Sequence, residues 1–182
     1  VHDSGNLHGP INPWQGPLDR FRHLPETVVW NQAVCDAVYA ALQAGQLPIM
    51  LGGDHCLAIG SIGAVARHCR ERGQRLRVLW LDAHADFNTA AMTPSGNIHG
   101  MPVACLCGDG PPELVGIGGF TPQRPALRAS ELRQIGIRSV DAGEKRLVHA
   151  ACIEVFDRRV IDEHGMRAAM ERALAGVDEH TH

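Results

Sequence analysis

Lysine is nearly missing from this 182-residue chain: of its 17 Lys and Arg residues only Lys145 is a lysine, and the basic residues are scattered. With a formal net charge of −3, no basic patch is left to hold nucleic acid or an anionic membrane surface. No apolar run approaches the ~20 residues that a membrane-spanning helix needs. The opening Val-His-Asp-Ser-Gly does not read as a secretory signal. C-x-x-C pairs are also absent. The six cysteines, at 35, 56, 69, 105, 107 and 152, form no dense framework and read as reduced packing residues of a cytoplasmic protein. Hydrophobic residues at 45% and charged residues at 20% exclude disordered and collagen-like chains. With no internal repeat, low-complexity tract or linker, residues 1–182 read as a single domain. Histidine, by contrast, is plentiful: 11 residues justify a search for metal ligands.

Residues 1–18, rich in Gly, Pro and Asn, read as loop. From about Pro25, Val29, Ala33, Ala37 and Ala41 form a stripe at helical spacing, widened by Val34, Val38 and Leu42 and stopped by Gly45. The continuous apolar run 47–51, closed by Gly52-Gly53, predicts a buried strand. A second helix follows, with Ile59, Ile62, Val65 and Ala66 inward and Gly73 as its stop, and then a second buried strand over 76–81. Residues 82–102 show no clear period, and loops that long inside a domain are usually functional. Beyond them the pattern predicts a short helix over 101–107, a loop over 108–125 and a strand over 132–137. A helix over 144–152, a strand over 153–156 and a helix over 166–174 complete the chain. Strands alternating with helices imply an α/β fold with a mainly parallel sheet.

In such sheets ligands gather at the carboxyl ends of the strands. The strand over 76–81 runs into Asp82-Ala83-His84-Ala85-Asp86. In extended backbone residues i, i+2 and i+4 share a face, so Asp82, His84 and Asp86 are expected to project together. Two carboxylates and an imidazole at one point repel and desolvate one another unless a cation compensates. A solvated acidic loop is the plainer reading of a single Asp-x-His, but the whole D-A-H-A-D after a buried strand favours the metal. Mixed oxygen and nitrogen donors suit Mn²⁺ or a similar borderline ion better than a thiol-rich zinc site. His55, by itself a capping or packed residue, follows two glycines whose turn aims it at the same crevice. Downstream, Thr93, Ser95, Asn97 and His99 lie on one glycine-containing loop. Elsewhere this would be an ordinary polar turn. Beside metal ligands it can hold a polar substrate, with His99 suited to proton transfer near neutral pH.

At these residues the chain resembles the arginase (ureohydrolase) family. The resemblance rests on LGGDHCLAIGSI at 51–62, LWLDAHADFN at 79–88, TPSGNIHGMPVA at 93–104 and IGIRSVDAGE at 135–144, in that order. It implies a three-layer α/β/α fold with a mainly parallel sheet. It also implies a binuclear Mn²⁺ centre that hydrolyses the guanidinium group of L-arginine to ornithine and urea, by way of a hydroxide shared between the ions. Carried over, one ion uses His55, Asp82 and Asp86, and the other uses His84 and shares Asp82. Asn88, Thr93, Ser95 and Asn97 match positions that hold the α-carboxylate, and Asp141 and Glu144 those that meet the α-amino group. The last two are also readable as a polar turn and a helix-start acid. His99 matches the family's proton-shuttling histidine and, with Asp86, reads as catalytic. Agmatine has no carboxylate, so the Ser95-Gly96-Asn97 arrangement favours arginine. The alternatives are another ureohydrolase (agmatinase, formiminoglutamase or a guanidino-acid hydrolase) and a catalytically silent metal-binding fragment. The family also supplies metal-binding aspartates from a later Asp-x-Asp and a glutamate beyond it, and no such motif follows position 144 here. The resemblance therefore implies an incomplete, interior piece of an arginase-like protein, inactive alone. Its expected partner is a small-molecule substrate, with neither nucleic acid nor membrane. A homo-oligomer is compatible with a sequence that does not set subunit number.

Overall fold

A computed structural model describes residues 2–13, 16 and 19–182. Of the predicted loop over 1–18, positions 1, 14, 15, 17 and 18 lie outside the described residues, and the others form no regular element. The order is α1 (Leu24–Gln43), α2 (Ala58–Glu71), β1 (Val78–Leu81), α3 (Pro102–Leu106) and α4 (Pro112–Val115). β2 (Leu132–Ile137), α5 (Ala142–Ala150), β3 (Glu154–Asp157) and α6 (Arg158–Ala173) follow. Pro25 presets the first turn of α1, and its buried side is Thr27, Asn31, Val34, Cys35, Val38 and Leu42. The predicted stripe is thereby rotated: Val29 and Ala37 face solvent. Val34, Val38 and Leu42 remove more apolar surface from water than a row of alanines, so they decide which side turns in. Helices α1 and α2 approach closely at Gly60, where a Cβ would lie 2.3 Å from the Asn31 carbonyl oxygen. The Gly60 N–H donates to Oδ1 of the fully buried Asn31 at 2.7 Å and Nδ2 of Asn31 donates to the Thr27 carbonyl at 2.9 Å, which together satisfy the amide.

The three strands among the described residues are parallel in the order β1-β2-β3, with Val78 opposite Leu132 and Gln134 opposite Val155. Ile135 and Phe156 meet Ala169 and Ala173 of α6 on one face. Trp80 and Leu132 meet Val148 of α5, with Ala58 and Ile62 of α2, on the other. Helices on both faces make the three layers expected of the α/β class. The register of β2 shifts between Ile135 and Ile137 at Gly136. Gly136 has φ +88, and a Cβ there would lie 3.2 Å from the Asp82 carbonyl oxygen. Because the Asp82 N–H donates to Ile135 at 3.1 Å, the end of β1 is tied to this bulge.

Three predicted elements differ. The stretch 108–125, expected to be loop, contains the short helix α4, with Pro112 in its first turn. The run 47–51 is no strand: Leu47, Ile49 and Leu51 are 78, 74 and 89% exposed, and the sheet of described residues ends at β1 without reaching them. Apolar residues favour a strand only where a second backbone pairs with the first. Helix α6 begins eight residues before the predicted 166, capped by Asp157, whose carboxylate accepts the Val160 N–H at 2.9 Å. Its first half is mostly polar and exposed; Val160 and Ile161, half-buried against the cluster of Phe156 and Ala169, are adjacent and set no helical period, and Gly165 (φ 82, ψ 155) interrupts the helix before the predicted start.

Candidate metal centre

Asp82 directly follows β1, and His55 opens a 3₁₀ turn whose N-cap, Asp54, accepts the Cys56 N–H at 2.9 Å. Nδ1 of His55 lies 2.9 Å from Oδ2 of Asp86 and 3.4 Å from Oδ2 of Asp82. One donor atom from each of these three residues falls within 4.8 Å of the others. The second oxygen of Asp82, Oδ1, lies 3.2 Å from Nδ1 of His84 and accepts the His84 N–H at 2.7 Å. Asp82 thus offers one oxygen to each histidine. The His84 side chain is 59% exposed and stands outside the close triad.

The alternation expected of 82–86 does not hold. The chain bends after β1: the Ala83 carbonyl accepts the N–H groups of Arg138 and Ser139 at 2.9 and 3.0 Å, and Asp86 takes a left-handed φ of +50. The bend brings Asp82 and Asp86 to His55 and leaves His84 on the rim. Such a φ in a non-glycine residue is a strained conformation of the kind that clusters at functional sites.

The chemistry of the donors fits a divalent cation. The Asp86 side chain is 7% exposed, and its Oδ2 makes no aligned hydrogen bond among the described residues although the His55 nitrogen is near. Burial pushes the Asp86 carboxyl up to about 6, with His55 acting against that rise and Asp82 adding to it. A buried carboxylate oxygen without an aligned hydrogen bond, next to a second carboxylate and an imidazole, matches the oxygen and nitrogen donors that Mn²⁺-like ions select. The His55 ring stacks on Trp80, with centroids 4.5 Å apart and planes 19° from parallel, which fixes its orientation.

The raised Asp86 pKa has a sign that melting experiments read. Its folded value, about 6, exceeds the ordinary 3.8, so its favourable contribution is complete below the ordinary range and is lost as pH rises through about 6. In the metal-free chain, Asp86→Asn is expected to raise the melting temperature at pH 8 and to leave it nearly unchanged at pH 4. Binding of a divalent cation at the triad is expected to run the other way, weakening below about pH 6 because the proton competes for the carboxylate. Equal melting temperatures of wild type and variant at pH 8 would contradict the assignment.

The triad opens through Asp86 into a cleft of about 290 Å³. His84, Asp86, Asn88, Thr93, Ser95, Asn97, His99, Asp141 and Glu144 line it, so every site residue expected from sequence is gathered here except His55 and Asp82, which complete the triad. Sequence reasoning missed Ser139, a further lining residue; its position just past the carboxyl end of β2 was the available signal. Thr93 Oγ1 accepts the Gly96 N–H at 3.0 Å and Ser95 Oγ accepts the Asn97 N–H at 3.2 Å, so each hydroxyl keeps its own hydrogen to donate. Oδ1 of Asn88 is buried and has no hydrogen-bond partner among the described residues. Glu144 is buried, accepts the Phe87 N–H at 2.8 Å and thereby ties α5 to the residue after Asp86. Burial raises its pKa and that hydrogen bond acts against the rise. His99 sits in the 3₁₀ turn Ile98–Gly100 with Nδ1 3.4 Å from Oδ2 of Asp54.

A family model described as the Arginase family matches residues 1–182. The chain belongs to the arginase family. The arginase of Bacillus caldovelox is 41% identical over 162 residues, covering 89% of this chain and 52% of that protein. The crystal structure of arginase from Bacillus cereus matches with a TM-score of 0.80 at 37% identity, covering 86% of this chain and 52% of that one. Entamoeba histolytica arginase, in complex with L-ornithine, matches with a TM-score of 0.82 at 31% identity, covering 94% of this chain and 57% of that one. The chain spans about half the length of these arginases, and its parallel sheet between helical layers is an incomplete form of the arginase α/β fold.

Proposed function

We propose that the protein hydrolyses the guanidinium group of L-arginine to ornithine and urea, with Mn²⁺ as its cofactor. The observation that carries this reading is one cleft that joins the His55–Asp82–Asp86 triad to a loop of short neutral donors. His55, Asp82 and Asp86 would hold one ion, and His84 with the other oxygen of Asp82 a second. Bound there, the ions supply the positive charge that makes water nucleophilic at neutral pH.

The remaining residues bind, orient and move protons. Thr93 and Ser95 donate their hydroxyl hydrogens to the α-carboxylate, and the Asn97 amide adds to them. Asp141 and the buried Glu144 supply negative charge for the α-ammonium. His99 turns Nδ1 toward Asp54, leaving Nε2 to hand a proton to the departing amine. Entamoeba histolytica arginase, a structural relative, was solved in complex with L-ornithine, the α-amino acid product of the reaction proposed here. All six cysteines are free, in keeping with a cytoplasmic setting, and no helix among the described residues is long and apolar enough to cross a membrane.

The test compares arginine with agmatine, which lacks the carboxylate, on the full-length protein loaded with Mn²⁺. The kcat/KM for arginine is expected to exceed that for agmatine by at least about a hundredfold, the effect of two hydrogen bonds to a charged group. Equal or better turnover of agmatine would assign the cleft to a different ureohydrolase substrate.

A further inference from the structure

The backbone entering α1 carries a run of conformations that side chains rarely adopt. Asp19, Arg20 and His23 have φ of 47, 67 and 55°. Strain of this kind persists where surrounding contacts enforce it, and it concentrates at ligand clamps. Here the segment reaches the substrate-facing loop, some 70 residues away in sequence. Arg22 Nε donates to the Ser95 carbonyl at 3.0 Å, and the Arg22 N–H donates to the Gly96 carbonyl at 2.8 Å. Arg20 donates through one guanidinium nitrogen to the carbonyls of Ala90 and Ala91 at 3.2 and 3.3 Å. The loop's own hydrogen bonds are local, such as Gly96 N–H to Thr93 and Asn97 N–H to Ser95.

We propose that Arg22, assisted by Arg20, is a positioning residue for substrate: from outside the cleft it fixes the loop that aims the Thr93 and Ser95 hydroxyls. Neither arginine lines the cleft. By holding the Ser95 and Gly96 carbonyls away from the cleft, Arg22 leaves hydroxyl and amide donors to face it, as an anionic group requires. Its cation adds favourable potential for the carboxylate. This inference rests on the reading of that loop as the α-carboxylate site.

The experiment uses Arg22→Gln and Arg22→Lys in the full-length protein, with hydrogen exchange of the amides of residues 95–98 as a second readout. Arg22→Gln is expected to raise KM for arginine about tenfold, the worth of one charge-assisted contact, with kcat changed less than twofold. Arg22→Lys restores part of that loss. The inhibition constant of agmatine, used as a competing ligand without a carboxylate, is expected to change less than twofold. Exchange at 95–98 speeds up in Arg22→Gln while the melting temperature stays within a few degrees. An equal weakening of arginine and agmatine, or unchanged exchange at 95–98, overturns the proposal. If the wild-type protein does not hydrolyse arginine, the functional reading fails, and exchange at 95–98 then decides the strap alone: faster upholds it, unchanged overturns it.

Discussion

Replacing Trp80 by alanine in the full-length protein is expected to destabilise it by about 3–5 kcal/mol and to cut the proposed arginine turnover ten- to a hundredfold. Trp80 is 4% exposed and packs among Leu132, Val103 and Ile153, so truncation opens a cavity that its neighbours can only partly fill. The same ring stacks on His55, and without it the imidazole is free to rotate away from Asp82 and Asp86. The indole Nε1 is buried with no hydrogen-bond partner among the described residues. Trp80→Phe therefore keeps a flat face, removes an unsatisfied donor, and is expected to lose less than half as much stability. Urea-denaturation midpoints and kcat/KM of the two variants check this. Full turnover by Trp80→Ala would show that the stack does not position His55.

Much of this arrangement was legible in the chain. Helix α2, strand β2 and the irregular stretch after β1 fall where period and punctuation place them, because local propensity and tertiary burial agree there. The run 47–51 misled because pairing belongs to two strands, and a single apolar segment cannot report whether its partner is at hand. The inward side of α1 was misjudged because alanines score as apolar while burying little, and Val34, Val38 and Leu42 win the contest. At the site, the residue types pointed to a metal beside a polar substrate, and the carboxylate role of Thr93, Ser95 and Asn97 came from the family resemblance. The bend through Asp86 did not show, since a left-handed aspartate leaves no compositional trace. Trp80 beneath His55 and Arg22 on the Ser95 carbonyl also stayed hidden, being contacts between segments far apart in sequence.

Asp82 is the residue on which the account turns. One of its oxygens faces His55 and the other His84, so it is the group through which two ions would share a ligand. His55 and Asp86 remain 2.9 Å apart without it, enough for a weak single site, whereas His84 loses its carboxylate. Loss of His84 is expected to empty mainly one position. The most direct measurement is therefore manganese content and urea release from arginine in full-length Asp82→Ala beside wild type. Wild type is expected to hold two ions per subunit; the variant should hold at most one, and kcat/KM should fall about a thousandfold, since the ions supply several kcal/mol of transition-state stabilisation. Two tightly held ions in Asp82→Ala, with turnover within tenfold of wild type, would contradict it.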